Sequence, residues 1–536
     1  MNDSPLKPES VVSSLSLPTK VGQLFVAGFD GTAPTADIEV LISERSLGGV
    51  IYFDRNAESP AQLRALSRTL RGFVPDDVPP LSVAIDQEGG RVARLPWGTE
   101  LPSAMALGAT DDPSLAACAG EAVGRELRLL GIDVNLAPVL DVNNNPDNPV
   151  IGVRSFGERP DRVAELGTAF ADGVQNTGVI ACGKHFPGHG DTAVDSHLDL
   201  PVVAHDRDRL DRVELRPFRR AIDDGIDAIM TTHVAFPTVT GDERPATLSR
   251  QIVDGLLRGE LGFGGLVFTD CMEMDAITEG VGTVEGCVQA VEAGCDRICV
   301  SHTPEKQHAA IDAVIGAVES GRIPESRIDA AIGRVLRAKR AYCTRRLAGE
   351  GETSRGEWEA AAADCRFVAR TVAERGVTLV RDADRLPLPD RRVPVYEFET
   401  GRRSPAEESR DDRGAFAAAL SAAGVSVDAT VFDDNEGSKT GAETDTEADA
   451  PTIVRTSDAV ENPEQTALIR DLDAAGSSPI VVATRNPYDL AAFPEVETYL
   501  TTYDDTEASL AAAADVLAGA RDPTGRLPIT IPTPEV

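Results

Sequence analysis

Between residues 20 and 345, short apolar runs rich in β-branched side chains recur at intervals of roughly 30–50 residues. They are Leu24–Ala27, Gly49–Phe53, Leu81–Ile85, Val134–Leu140, Val179–Cys182, Ala228–Thr232, Leu266–Thr269 and Arg297–Val300. Helical periodicity fills most of the gaps. Strands alternating with helices eight times predict an α/β fold, a (β/α)8 TIM barrel of about 250 residues plus insertions. Polar or ionisable residues follow the ends of most runs: Asp86, Asp141, Lys184 with His185, His233, Asp270 and His302. In such a barrel all strand C-termini open onto one face, which carries the chemistry.

Beyond residue 345 the pattern changes. Residues 346–356 are polar and glycine-containing and read as a linker. An alanine-rich amphipathic helix is expected at 357–374. Later runs (Val393–Glu397, Val425–Phe432, Pro479–Ala483) alternate with helices such as Ser509–Leu517, predicting a smaller α/β sandwich around a parallel sheet. Residues 433–450 are acidic and nearly free of large apolar groups, as expected of a disordered surface insertion. The expected organisation is therefore a barrel over 1–345, the linker, and a second domain over 357–536.

The net charge is −35, and only six residues are lysine. Such a surface repels nucleic acid and anionic membranes, so neither is an expected partner. The acidic residues are spread along the whole chain, which suits a salt-rich cytoplasm where screening removes self-repulsion. No apolar run reaches the length of a membrane span, and the first residues lack a basic, apolar leader pattern. Eight scattered cysteines without a Cys-x-x-Cys pair suggest reduced thiols and a cytoplasmic location.

The densest chemistry lies in Lys184-His185-Phe186-Pro187-Gly188-His189-Gly190-Asp191-Thr192-Ala193-Val194-Asp195-Ser196-His197. Three of the chain's seven histidines fall here. Pro187, Gly188 and Gly190 exclude a regular helix, so a loop is expected at a strand end. Asp195, two residues before His197, can bind one ring nitrogen and orient the imidazole, leaving the other nitrogen for proton transfer. A satisfied structural Asp–His pair would look the same in isolation. His185, His189, Asp191 and His197 could instead be metal ligands, but Lys184 beside them opposes a cation, so no metal and no cofactor are expected. Asp270, after Leu266–Thr269, suits a nucleophile, a base, a ligand or a helix cap. Asp86-Gln87-Glu88-Gly89-Gly90-Arg91 offers a carboxylate for sugar hydroxyls and glycines for close backbone approach. Arg154, in a loop fixed by proline and glycine, suits an acceptor-rich ligand.

These motifs, in this order, resemble glycoside hydrolase family 3, in its two-domain β-N-acetylglucosaminidase (β-hexosaminidase) branch. The Lys184–His197 segment is the most specific match, and Asn486-Pro487-Tyr488-Asp489-Leu490 through Ile529 resembles the sandwich domain. The resemblance implies that Asp270 is the nucleophile, His197 the acid/base and Asp195 its partner. It also implies that Asp86, Arg154, Lys184 and His185 hold a terminal N-acetylglucosamine. Cys271 stands where an aspartate commonly follows the nucleophile, and Val153 where a polar residue is usual.

The implied reaction is retaining hydrolysis of a terminal β-N-acetylhexosaminide on a small carbohydrate substrate. Phosphorolysis or β-glucosidase activity within the same family, substrate-assisted attack by the acetamido group, and a non-catalytic sugar-binding protein are the alternatives. Because the acid/base candidate sits on the barrel, the second domain is expected to serve stability or cleft shape rather than proton transfer.

Overall fold

Strand alternation explains the first domain. In Phe25–Ala27, Val26 points one way and its neighbours the other, and the same holds for Ile51, Ala84, Ala228 with Met230, Leu266 with Phe268, and Cys299. These single residues pack together as an inner cluster, while Phe25, Val50, Val83, Ile229, Val267 and Ile298 pack outward against helices. A flat sheet would not gather one residue set from every strand into one plug. Truncating Ile51 to alanine inside this plug would cost about 2–5 kcal/mol.

In this computed structural model the described residues are 11–532, without 198, 344–354, 399–400, 403, 409–411 and 433–450. The barrel strands are β1 Phe25–Ala27, β2 Gly49–Tyr52, β3 Ser82–Ile85, β4 Val134–Asn135, β5 Ile180–Phe186, β6 Ala228–Thr231, β7 Leu266–Thr269 and β8 Ile298–Val300. They run parallel in the order β8-β1-β2-β3-β4-β5-β6-β7. The ring closes where Phe268 bridges Arg297 and the Thr269 N–H donates to the Arg297 carbonyl at 2.9 Å. At the opposite end from the strand C-termini, the helix Glu325–Tyr342 brings Val335, Ala338 and Tyr342 against the inner cluster.

All eight expected strands are present, with two instructive differences in length. The run Val134–Leu140 yields only Val134–Asn135, because Pro138 lacks the N–H that a ladder needs. Conversely, β5 continues through Lys184 and His185 to Phe186, where a loop was expected. Parallel pairing with β6 holds it (Cys182↔Ala228, Gly183↔Ile229, Phe186↔Thr231), and the register shift between Gly183 and Phe186 absorbs the irregularity. The loop begins at Pro187.

The second sheet comprises β9 Thr378–Arg381, β10 Val393–Phe398, β11 Val427–Phe432, β12 Ile453–Thr456, β13 Ile480–Ala483 and β14 Thr498–Thr501. Its order is β9-β14-β13-β12-β10-β11, parallel except for β9, which pairs antiparallel with β14. The helix Arg355–Gly376 precedes it, so residues 355–356 of the expected linker are helical, while 346–354 lie outside the described residues. The expected insertion at 433–450 also lies outside them. The two units share apolar contacts: Ala369, Val372, Tyr488, Tyr503 and Ile529 join the barrel's outer cluster. Ser103 Oγ donates to the Tyr503 carbonyl at 2.9 Å, and Arg91 pairs with Asp505. Among the described residues, no helix is long and apolar enough to cross a membrane.

Candidate active site

The strand C-termini open into one cavity of about 430 Å³. Asp86, Glu88, Arg154, Lys184, His185, His197 and Asp270 all line it. Asp195 is buried directly behind His197. The structure therefore brings together the residues to which the sequence resemblance assigns catalytic or sugar-holding roles.

One wall is a paired charge cluster. Lys184 Nζ lies 2.6 Å from both Asp86 Oδ1 and Glu88 Oε1. Glu88 also receives the Arg154 fork, with Nε at 2.9 Å and Nη2 at 2.8 Å, and Arg154 Nη1 donates to the Val150 carbonyl at 3.0 Å. Burial alone would raise the Glu88 pKa, but the Arg154 and Lys184 cations outweigh it and hold the carboxyl far below its usual range. Burial would likewise lower Lys184, yet Asp86 and Glu88 keep its ammonium charged and its pKa raised. Arg154 was expected to await a ligand acceptor. Much of its fork instead serves Glu88, which pins the arginine in the wall.

Each histidine of the Lys184–His197 segment has its own partner. His185 Nδ1 donates to Asp141 Oδ2 at 2.7 Å, and the fully buried Asp141 also accepts the backbone N–H of His185 and, at 2.7 Å, that of His189. Thr192 Oγ1 donates to the His189 carbonyl at 3.1 Å and so accepts from His189 Nδ1 at 2.8 Å, leaving Nε2 to accept from Ser196 Oγ at 2.9 Å. That is the pattern of a neutral ring, and burial pushes the His189 pKa down to about 4. His197 Nδ1 donates to Asp195 Oδ1 at 2.6 Å, and Asp195 also accepts the His197 backbone N–H at 2.9 Å. Burial opposes ionisation of Asp195, but the hydrogen bond and charge of His197 prevail and lower its pKa to about 2. With Nδ1 engaged by Asp195, Nε2 is the ring nitrogen of His197 left for a further partner.

Asp270 follows β7 as alternation requires: Thr269 turns into the wall, where its Oγ1 accepts from the Cys299 N–H at 3.0 Å, and the carboxylate faces the cavity. Burial would raise the Asp270 pKa, but His185, His233 and His197 together with the Cys271 N–H hold it below the ordinary value. His233 fixes the next peptide by donating from Nε2 to the Cys271 carbonyl at 3.0 Å. Burial pushes the Cys271 thiol up to about 11, so this position adds no negative charge beside Asp270.

The second domain reaches the same cavity. Arg402, Pro405, Ala406 and Glu408 line it, and Ser404 Oγ donates to Asp195 Oδ2 at 2.9 Å across 209 residues of sequence. The second domain thus shapes the cleft and also contacts Asp195. The metal alternative also meets a different geometry, since the histidines and Asp191 turn to separate partners. Asp191 instead gathers with His205 and Glu214, ligand atoms within 4.8 Å of one another. Arg209 pairs with Glu214 and stands 3.9 Å from Asp191, placing a permanent cation where a metal's charge would sit.

The sequence matches the glycosyl hydrolase family 3 N-terminal domain over residues 16–338 and the family 3 C-terminal domain over 303–536. The chain belongs to glycosyl hydrolase family 3. Among solved structures, a family 3 β-N-acetylglucosaminidase from Paenibacillus sp. str. FPU-7 superposes with a TM-score of 0.87 at 42% identity, over 97% of this chain and 100% of that one. A β-hexosaminidase of Alkalilimnicola ehrlichii is 40% identical over 285 residues, 52% of this chain and 80% of its own length. β-Hexosaminidase A of Pseudoalteromonas piscicida is 37% identical over 328 residues, 56% of this chain, which spans 55% of that relative's length.

Within this family 3 site, sequence reasoning left four contributors without a role. Glu88 was visible in its motif, and only its shared contact with Arg154 and Lys184 reveals its place. Asp141 and His233 stood at strand ends without an assigned partner. Ser404 gave no signal, because it lies in a polar stretch remote from any motif.

Proposed function

We propose that the chain is a retaining β-N-acetylhexosaminidase that releases terminal β-linked N-acetylglucosamine. The observation that carries this reading is that Asp270 and the Asp195-held His197 line one sugar-sized cavity from different strand ends. Asp270 Oδ forms a bond to the anomeric carbon as the glycosidic C–O bond breaks, and His197 Nε2 passes its proton to the departing oxygen. In the second step water bonds to that carbon, the Asp270 ester bond breaks, and His197 takes the water's proton. Asp86 offers its remaining carboxylate oxygen to sugar hydroxyls, while Lys184, Arg154 and His185 complete the polar wall. The names of the relatives support the choice of sugar. The eight free thiols, six of them buried, favour a reducing cytoplasm as the location.

Aryl N-acetyl-β-glucosaminides test the reading. Wild-type protein should release the chromophore with retention at the anomeric carbon, and a mechanism-based fluorosugar should leave an adduct on Asp270. Substantial turnover by Asp270→Ala would remove the nucleophile and favour attack by the substrate's acetamido group.

A further inference from the structure

The carboxylate behind His197 is held from two domains. Asp195 is 4% exposed, and its Oδ1 is consumed by the ring and backbone of His197. Its Oδ2 accepts from Ser404 Oγ at 2.9 Å. A buried carboxylate oxygen without a donor costs free energy and turns the group toward any other donor available, so this bond fixes the carboxylate plane. Ser404 is itself set rigidly. It is 3% exposed, and its Oγ accepts from the Ala406 N–H at 3.3 Å, so the hydroxyl proton is free to point at Asp195. The surrounding turn is clamped on both sides: Glu407 pairs with Arg485 of the second domain. Glu408 pairs with Arg94 of the barrel and donates its backbone N–H to the Arg91 carbonyl at 2.9 Å. Arg91 and Arg94 belong to the turn that follows Asp86 and Glu88, so the clamp also ties the sugar-binding wall to the dyad.

We propose that Ser404 is a positioning residue for proton transfer: by holding Asp195 it fixes His197, so the acid/base device is completed only when the second domain is docked on the barrel. This rests on the glycosidase reading above. Ser404 touches no substrate and acts through Asp195. Its loss should therefore matter where protonation of the leaving group limits the rate, and little where the leaving group departs unaided.

The test uses the full chain with Ser404→Ala, Ser404→Thr and His197→Ala, each assayed on an alkyl and a dinitrophenyl N-acetyl-β-glucosaminide. Ser404→Ala should lower kcat/KM, which reports the step that needs the acid, about tenfold on the alkyl substrate and by less than about twofold on the dinitrophenyl substrate. Ser404→Thr keeps the hydroxyl and should recover most of the alkyl activity. In the His197→Ala background, Ser404→Ala should add no further loss, because the two act as one unit. Equal losses of kcat/KM on both substrates, or additive losses in the double variant, overturn the proposal and leave Ser404 as a packing residue. Wild-type protein inactive on both substrates would instead remove the glycosidase reading itself. A His197→Ala leaving-group signature without one in Ser404→Ala sinks only the positioning role.

Discussion

Replacing Glu88 by glutamine probes the charged wall most directly. Glu88 is buried and accepts from Arg154 at 2.9 and 2.8 Å and from Lys184 at 2.6 Å. Glutamine keeps the shape but turns an NH2 group toward two cations, so one of them loses its acceptor. Asp86 then remains as the sole anion beside Lys184, and Arg154 is left without its bidentate partner. Breaking a buried pair from one side costs about 3–5 kcal/mol, against the roughly 0–1 kcal/mol of a surface pair. Thermal unfolding should accordingly shift down by on the order of 3–7 °C. The sugar pocket should loosen as well, raising KM about tenfold if Lys184 and Arg154 move by an ångström. The sign with pH is fixed by the direction of the shift. The folded pKa of Glu88 is depressed, so its contribution is complete above the unfolded value of about 4.3 and fades as pH falls toward the folded one. The gap between wild type and variant should thus be constant from neutral pH to about 5 and narrow below about 4. Calorimetry across that range, with Michaelis kinetics at neutral pH, gives both readings. A variant within about 0.5 kcal/mol of wild type, with unchanged KM, would refute the reasoning.

Three further outcomes are expected. Asp270 must be ionised to attack and its pKa is depressed, so the acid limb of kcat/KM should fall below the ordinary aspartate value of about 3.9; a limb at pH 5 or above would count against the assignment. At Gly190 an added Cβ would stand 1.8 Å from the Val142 carbonyl oxygen, so Gly190→Ala should displace the loop carrying Asp195 and His197 and cut kcat at least tenfold at unchanged far-UV circular dichroism; retained activity would show that the loop yields. With a net charge of −35, the unfolding midpoint should rise on going from dilute buffer to molar potassium chloride, and a flat response in a salt titration would remove the high-salt interpretation of the surface.

The barrel was legible because its signal is local and repeated. Each strand needs only a few β-branched residues, and the same polar punctuation recurs at six strand ends. The site was legible for a related reason: Asp195 and His197 are two residues apart, and Asp270 directly follows its strand. What escaped depends on contacts between distant segments. Pro138 shortened β4, but the extension of β5 through Lys184 and His185 comes from pairing with β6, which no local pattern displays. Strands β9, β12 and β14 were missed in the second domain. Runs such as Thr498–Thr501 are too short to stand out, although that strand is wholly buried. Glu88 stands in a visible motif, yet its meaning lies in Arg154, 66 residues away.

Charge shows why the missing partner came from the second domain. The chain is strongly anionic, yet the buried site groups are balanced one against another: Lys184 with Asp86 and Glu88, Arg154 with Glu88, His185 with Asp141. Such pairs are screened little by salt, whereas the acidic exterior is screened strongly. Salt therefore acts on whether the chain stays folded, and much less on the proton-transfer geometry once it is. Asp195 is the exception to pairwise closure within the barrel, since among the described residues its second oxygen takes its donor, Ser404, from the second domain. A neutral hydroxyl suits that place better than a cation. An arginine or lysine there would compete with His197 for the carboxylate and weaken its hold on the ring, while a serine satisfies the oxygen and leaves the charge of Asp195 directed at the imidazole.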